Sequence, residues 1–299
     1  MESKRLNLNI PQAVSDFERA AKKLEIINVL YKIVFRGSGL EFDSYRDYDS
    51  SDDSSSIDWK ASKRAGKLLV KRYIEERDLK IILAIDISER MVFGSTKKLK
   101  CEYVAELAAA ISHLILISGD NLGFVLYNDD IVQFVPPNKS PNQFHLFVDL
   151  LSDSSLYTGD SNLNHTLDYL LKNLDPSTSA IIFVSDFLNT SKECQRNFNL
   201  LSSKFEIIAL VVKDPLDKAL PDIDREIFIE HPASGETVLI NPKVSGKIYE
   251  KMALEQEKFV EGIFKATNID SLQLTTDRYF IDPLVGFLKE RIKKRSFRT

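Results

Sequence analysis

The chain has 299 residues, 43% apolar and 28% charged, which is ample for a sizeable core in one large α/β domain or one domain with an appendage. A net charge of −4 and a pI near 5.7 argue against nucleic acid as the main partner. The two cysteines, Cys101 and Cys194, form neither a CxxC nor a His/Cys cluster, which excludes a zinc site of the usual spacing and points to a reducing compartment.

The first 23 residues, MESKRLNLNIPQAVSDFERAAKK, have no apolar signal-peptide core, and the apolar stretch at 26–35 is short and interrupted by Asn28 and Lys32. Nothing approaches the roughly 18 apolar residues of a membrane span. A cytoplasmic protein that meets membranes only through partners is therefore expected. Helical spacing runs over 11–35, through Val14, Phe17, Ala20, Ala21, Leu24 and Ile27, and ends at Gly37 and Gly39. Residues 40–66 are polar and acidic and read as a long irregular segment. In its centre, DYDSSDDSSSID puts Asp47, Asp49, Ser51 and Asp58 at positions 1, 3, 5 and 12 of a calcium loop, but the glycine needed at position 6 is Asp52. The dense charges around Trp59 predict instead that Arg46, Asp58 and Arg64 anchor the segment to the body, with Trp59 as a packing residue.

Beyond residue 67 the pattern changes. LKIILAID (79–86) reads as a buried parallel strand ending in Asp86. A helix follows over 97–118, with Leu99, Tyr103, Leu107, Ala110 and Leu114 as its stripe. Two strands flank the turn Asn128-Asp129-Asp130, and helices are predicted at 141–152 and 162–174. SAIIFVSD (179–186) is a second buried strand ending in an aspartate, Asp186. Thr190 and Glu193 have the spacing of a capping box for a helix reaching about residue 202. FEIIALVV (205–212) is a third buried strand. A hairpin over 226–240 turns at Pro232 to Gly235. A long helix over 243–267, an edge strand at 271–276 and a last helix over 282–295 complete the chain. This alternation predicts a mostly parallel, doubly wound sheet with helices on both faces and right-handed crossovers.

In such sheets ligands bind off the carboxyl ends of the strands, where both Asp86 and Asp186 fall. Asp86, Ser88, a loop hydroxyl and Asp186 make a hard-oxygen set that suits magnesium while leaving a position for a partner's oxygen. The loop hydroxyl is Ser161, although Asp160 and Ser161 are also good N-caps.

The Asp-x-Ser-x-Ser motif, loop Thr and strand-end Asp are those of the metal-ion-dependent adhesion site of von Willebrand factor A domains, and here the pattern falls on Asp86, Ser88, Arg90, Ser161 and Asp186. The chain more closely resembles the bacterial DUF58 family, whose members are von Willebrand A-like and are often encoded beside MoxR-type AAA+ ATPases. The resemblance rests on GLEF (39–42), Arg46-x-Tyr48, Asp52-Asp53, IDWKASKRAG (57–66), VKRYIEE (70–76), the Asp86 motif, VSDF (184–187) and KDPLDKALP (213–221). It implies a von Willebrand A-like domain over 76–299, with a hairpin insertion near 226–240, preceded by a helix and a family-specific segment over 1–75 that packs on it. It also implies an adaptor or chaperone-like partner of a MoxR-type ATPase that binds other proteins and no nucleic acid. Arg90 and Asp160 are the rim residues expected to face a partner.

Two positions depart from the motif. Ser161 replaces a threonine and keeps the hydroxyl. Arg90 replaces the second serine, removes a ligand and brings a charge that cannot be lost. Turned inward, it bridges the carboxylates as a built-in cation, so magnesium binding is expected to be weak or absent. Turned outward, it contacts a partner while water takes the missing ligand position. The alternative function is a metal-dependent hydrolase or phosphatase. Against it, the second Asp of haloacid-dehalogenase-type sites is Ser88 here, and there is no GxSxG, Walker A or complete GxGxxG. The basic end, 289–298, suits the C-terminus of a helix dipole.

Overall fold

Residues 5–23, 41–49, 52, 57–74, 79–230 and 237–296 are described by the computed structural model. They fall into two units, one formed by the first helix with the chain from Leu79 onward, the other by the segment Arg36–Asp78. The first helix, α1 (Ile10–Lys23), therefore does not group with the segment that follows it, as a division at residue 75 had it. Its buried Ala13 and Phe17 join the core of the larger unit, and burial of that apolar face decides where the helix belongs. The remainder of the predicted 11–35 helix, with Leu24, Ile27 and the stop at Gly37 and Gly39, lies outside the described residues, as do residues 50, 51 and 53–56 of the acidic stretch.

In the smaller unit β1 (Glu41–Asp47) pairs antiparallel with β2 (Leu69–Ile74), and the short helix α2 (Trp59–Ala65) lies between them in sequence. Asp58 caps α2 by accepting from the backbone N–H groups of Lys60 and Ala61, both at 3.0 Å, and Gly66 ends it at φ +70°. Asp58 also accepts from the Tyr45 hydroxyl at 3.1 Å and pairs with Lys71 at 3.3 Å. Arg46 grips Asp52 through both nitrogens at 2.5 Å, and that contact holds the Asp52 carboxyl down at about 2. Two of the three predicted anchors thus bind inside their own unit; Arg64 forms no ion pair among the described residues. Trp59, expected to be a packing residue, is 67% exposed, because it opens α2 on its solvent side.

The larger unit is built on one sheet. Its strands are β3 (Lys80–Asp86), β4 (Asn121–Tyr127), β5 (Ile131–Asn138), β6 (Ala180–Ser185) and β7 (Glu206–Lys213), joined after the hairpin β8 (Ile227–Glu230) and β9 (Thr237–Ile240) by β10 (Asp270–Thr275). The order is β10-β7-β6-β3-β4-β5; every neighbouring pair is parallel except β4 with β5. β3 therefore sits between β4 and β6. The chain leaves it to one side for β4 and later returns to its other side for β6. The turn of the β8–β9 hairpin, predicted at Pro232 to Gly235, lies outside the described residues.

Alternation along β3 feeds two cores. Ile81, Leu83 and Ile85 face one side, Ile82 and Ala84 the other. The first side is covered by α1, α3 (Lys100–Ile117), α4 (Pro141–Ser152) and, after the remaining helices, the C-terminal helix. The second is covered by α5 (Leu163–Asn173), α6 (Lys192–Ser202) and the C-terminal half of α7 (Pro242–Ala266), through residues such as Leu167, Phe198 and Phe264. The C-terminal helix is α8 (Ile281–Ser296), and its buried Arg291 pairs with Glu206 at 2.5 Å and Asp270 at 3.0 Å. α3 is buried along most of its length. Its run Ala108–Ala110 lets it lie close to the sheet, while Glu106 and Glu102 reach outward to accept from the backbone of Asn9 (2.8 Å) and Asn7 (3.1 Å) ahead of α1. The cap of α6 is Ser191, and the Thr190 hydroxyl donates to the Phe187 carbonyl at 2.8 Å, so the predicted Thr190–Glu193 capping box does not form. Likewise α5 is capped by Asn162, which accepts from His165 N at 3.1 Å, leaving Asp160 and Ser161 free for other partners. No helix among the described residues is long and apolar enough to cross a membrane.

Candidate functional site

β3 stays apolar to Ile85 and ends on Asp86. β6, its parallel neighbour, stays apolar to Val184, ends on Ser185 and is followed by Asp186. Because β3 is the strand from which the chain turns both ways, these two carboxyl ends flank the topological switch point, where doubly wound sheets open a crevice. The loop before α5 brings Ser161 to the same crevice.

Asp86 is buried and fully hydrogen-bonded. Its Oδ1 accepts from Ser88 N at 3.0 Å; its Oδ2 accepts from the hydroxyls of Ser161 at 2.8 Å and Ser185 at 2.7 Å. Burial, and after it the charge of Asp186, pushes the Asp86 carboxyl up. Asp186 has the opposite surroundings. Its Oδ1 accepts from Leu188 N at 3.0 Å and faces Arg90 Nη2 at 3.3 Å; its Oδ2 accepts from Lys100 Nζ at 2.8 Å. Burial resists its ionisation, yet the Lys100 and Arg90 charges outweigh that and hold the carboxyl down at about 2. The two carboxyls are thus driven apart by one neighbourhood.

Arg90 turns inward, its side chain 12% exposed, on the 3₁₀ turn Glu89–Met91, and its other terminal nitrogen lies 3.7 Å from Asp160 Oδ1. Asp160 is held in turn: Asn189 donates to it at 2.9 Å, and its own N–H donates to Asp129 at 3.0 Å. Gly159 precedes it at φ +70°, where a Cβ would collide with the Asp129 carboxylate.

Asp86, Ser88, Ser161 and Asp186 converge, as the resemblance to the adhesion-site motif implies, and Arg90 and Asp160 meet at their edge. Lys100 was not foreseen. It is 1% exposed at the first position of α3, and besides Asp186 it reaches Asp217 at 3.2 and 3.5 Å, with Nζ 5.7 Å from the centre of the Phe93 ring. Asp217 comes from the turn Pro215–Asp217 after β7, and the preceding Asp214 accepts from Ser95 N and Oγ (2.8 and 2.5 Å) and from the Thr276 hydroxyl (3.0 Å). Lys213 is also buried here, and burial lowers its amine against the pull of Asp186 and Asp217. In sequence Lys100 looks like Lys97 and Lys98; only the approach of α3 to the switch point singles it out.

Magnesium binds oxygen at about 2.1 Å. An ion at that distance from Asp186 Oδ2 would lie within about 5 Å of the Lys100 ammonium, since the two would share one oxygen. Repulsion between a divalent and a single charge at that separation is about 7 kcal/mol at an effective dielectric near 20, before Arg90 is counted. With Lys100 in place, a divalent ion at Asp186 Oδ2 meets this repulsion directly.

α7 crosses the same rim. Tyr249 donates to the Leu216 carbonyl at 2.7 Å and Gln256 to the Leu188 carbonyl at 2.9 Å. Away from these ties, Val244, Ile248 and Met252 form a row at i, i+4, i+8, each between 64% and 73% exposed, and Phe228 and Leu239 are exposed as a cross-strand pair on the hairpin leading into the helix.

The protein family described as "Protein of unknown function DUF58" matches residues 44–258. An uncharacterised protein of Mycobacterium tuberculosis is 24% identical over 259 residues, covering 85% of this chain and 80% of that protein, and an uncharacterised protein of Mycobacterium bovis matches to the same extent. Among solved structures, the conserved hypothetical protein BatB from Bacteroides thetaiotaomicron aligns with a TM-score of 0.50 at 13% identity, over 72% of this chain and 99% of that one. At that identity the likeness is one of fold.

Proposed function

Because the chain belongs to the DUF58 family and has a von Willebrand A-like fold, we propose that it is a protein–protein interaction module, an adaptor or chaperone-like partner of a MoxR-type AAA+ ATPase, that docks through the carboxyl rim of its sheet. The observation that carries this reading is the exposed apolar row Val244, Ile248 and Met252 on α7, the helix tied to the rim loops through Tyr249 and Gln256. Apolar side chains gathered on one surface, next to polar groups, are what a docking face offers. Arg90, Asp160 and Asn189 supply a polar edge whose geometry is set before any partner arrives. The module works in the cytoplasm and reaches membranes through its partners.

The state of the carboxylates favours binding over turnover. Asp86 is pushed toward its protonated form and both its oxygens accept hydrogen bonds, which makes it a poor phosphoryl acceptor. Asp186 is clamped by two cations.

The test is co-purification of the tagged full chain with the MoxR-type ATPase of the same genome, comparing wild type with Val244→Glu and Ile248→Glu. Retention by the wild type and a loss of about tenfold or more in affinity for each variant, at unchanged thermal stability, is expected. No retention by the wild type, or equal retention by the variants, overturns the reading, and turnover of a phosphoester by the purified protein would favour the hydrolase instead.

A further inference from the structure

We propose that the ammonium of Lys100 is the resident cation of the rim, standing in for the divalent ion of a von Willebrand A-like adhesion site, and that Lys100 masks a latent cation site made by Asp86, Ser88, Ser161 and Asp186. The inference is independent of which partner docks. Arg90 is the visible departure from the motif, but Lys100 makes the closer contact with Asp186, 2.8 Å against 3.3 Å, and is the more deeply buried of the two.

Three observations converge. Lys100 is the first residue of α3, the positive end of the helix dipole, where a cation is unfavourable. Its position there is explained by Asp186 and Asp217, and not by the helix. Next, the hydroxyl of Ser88 is fully buried and has no partner beyond the neighbouring Asp86 carboxyl, so its oxygen accepts no hydrogen bond. Finally, Asp86 forms no ion pair with any described cation, although it lies in the same cluster as Lys100 and Arg90. A pocket with its acceptors in place and its cation tethered to one side is what remains when a side chain takes over from a metal.

The tethered ammonium has a consequence for docking. A bound magnesium ion offers an open coordination position to a partner's carboxylate. Buried Lys100 offers none, so the rim should recognise its partner without a metal and be indifferent to chelators.

The experiment measures magnesium binding by calorimetry and manganese binding by electron paramagnetic resonance for wild type, Arg90→Ser, Lys100→Met and the Arg90→Ser/Lys100→Met double variant. Wild type and Arg90→Ser should show no saturable binding at about 10 mM metal, whereas the double variant should gain at least about a hundredfold in affinity. In parallel, melting temperatures are read with and without about 10 mM magnesium, because a ligand that binds only the folded state raises them. Magnesium should restore stability to Lys100→Met and leave wild type unmoved, so a weakened variant is still informative. Saturable binding by wild type overturns the proposal without any variant. So does Arg90→Ser gaining as much as the double variant, or a double variant that gains nothing and is not stabilised by magnesium; the last outcome would make Lys100 a purely structural ion-pair partner.

Discussion

Replacing Lys100 by methionine keeps the length of the side chain and deletes its charge. Asp186 would then keep Arg90 at 3.3 Å and the Leu188 N–H at 3.0 Å, while Asp217 would lose its ammonium partner at 3.2 Å. Breaking a buried pair by removing one partner costs about 3–5 kcal/mol, because the surviving charge stays buried. The remaining contacts of Asp186 put the expected loss near the lower end, about 3 kcal/mol. In a unit of this size each kcal/mol shifts the melting temperature by about 2–4 °C, so a fall of about 6–12 °C is expected by calorimetry in metal-free buffer. Adding Asp186→Asn removes one of the two buried carboxylates that lose the ammonium and should recover part of the loss, giving a coupling of about 1–3 kcal/mol in a double-mutant cycle. A cost for Lys100→Met below about 1 kcal/mol, or additivity of the two changes within about 0.5 kcal/mol, would show that the ammonium is not what holds Asp186.

Other expectations follow from the same geometry. Asp186 is held at about 2, below the ordinary carboxylate value, so its contribution to stability is present above about pH 4 and is lost as pH falls toward 2; melting temperatures between pH 5 and 2 should fall more steeply for wild type than for Asp186→Asn. Burial pushes the Cys101 thiol up to about 12, and Cys194 is also buried, so a thiol reagent at pH 8 should label neither cysteine until denaturant is added; rapid labelling of native protein would contradict the packing around them. Gly159→Ala meets both a left-handed φ and the Asp129 carboxylate, and should cost about 1–3 kcal/mol in unfolding experiments, whereas Gly246→Ala in α7, with open space around its Cβ, should be neutral or stabilising.

The alternation of buried strands and helices and the strand ends at Asp86 and Asp186 were legible in the sequence, since apolar runs and their periods are local properties and a doubly wound sheet presents its strand ends on one rim; that Ser161 donates to Asp86 instead of capping a helix was not. Nor were the other neighbours of those carboxylates. Lys100 lies 86 residues from Asp186 and 117 from Asp217, and nothing in the run STKKLK separates it from Lys97 and Lys98. Which lysine enters the crevice depends on where α3 begins and how it crosses the sheet. The same holds for α1, whose amphipathic pattern demanded a partner surface without saying which, and for Trp59, an apolar residue whose exposure is decided by the side of α2 it occupies. Sequence determined the set of charged groups available to the rim. Tertiary structure decided their pairing, because a buried carboxylate takes the cation that the crossovers bring within about 3 Å, whatever its distance along the chain.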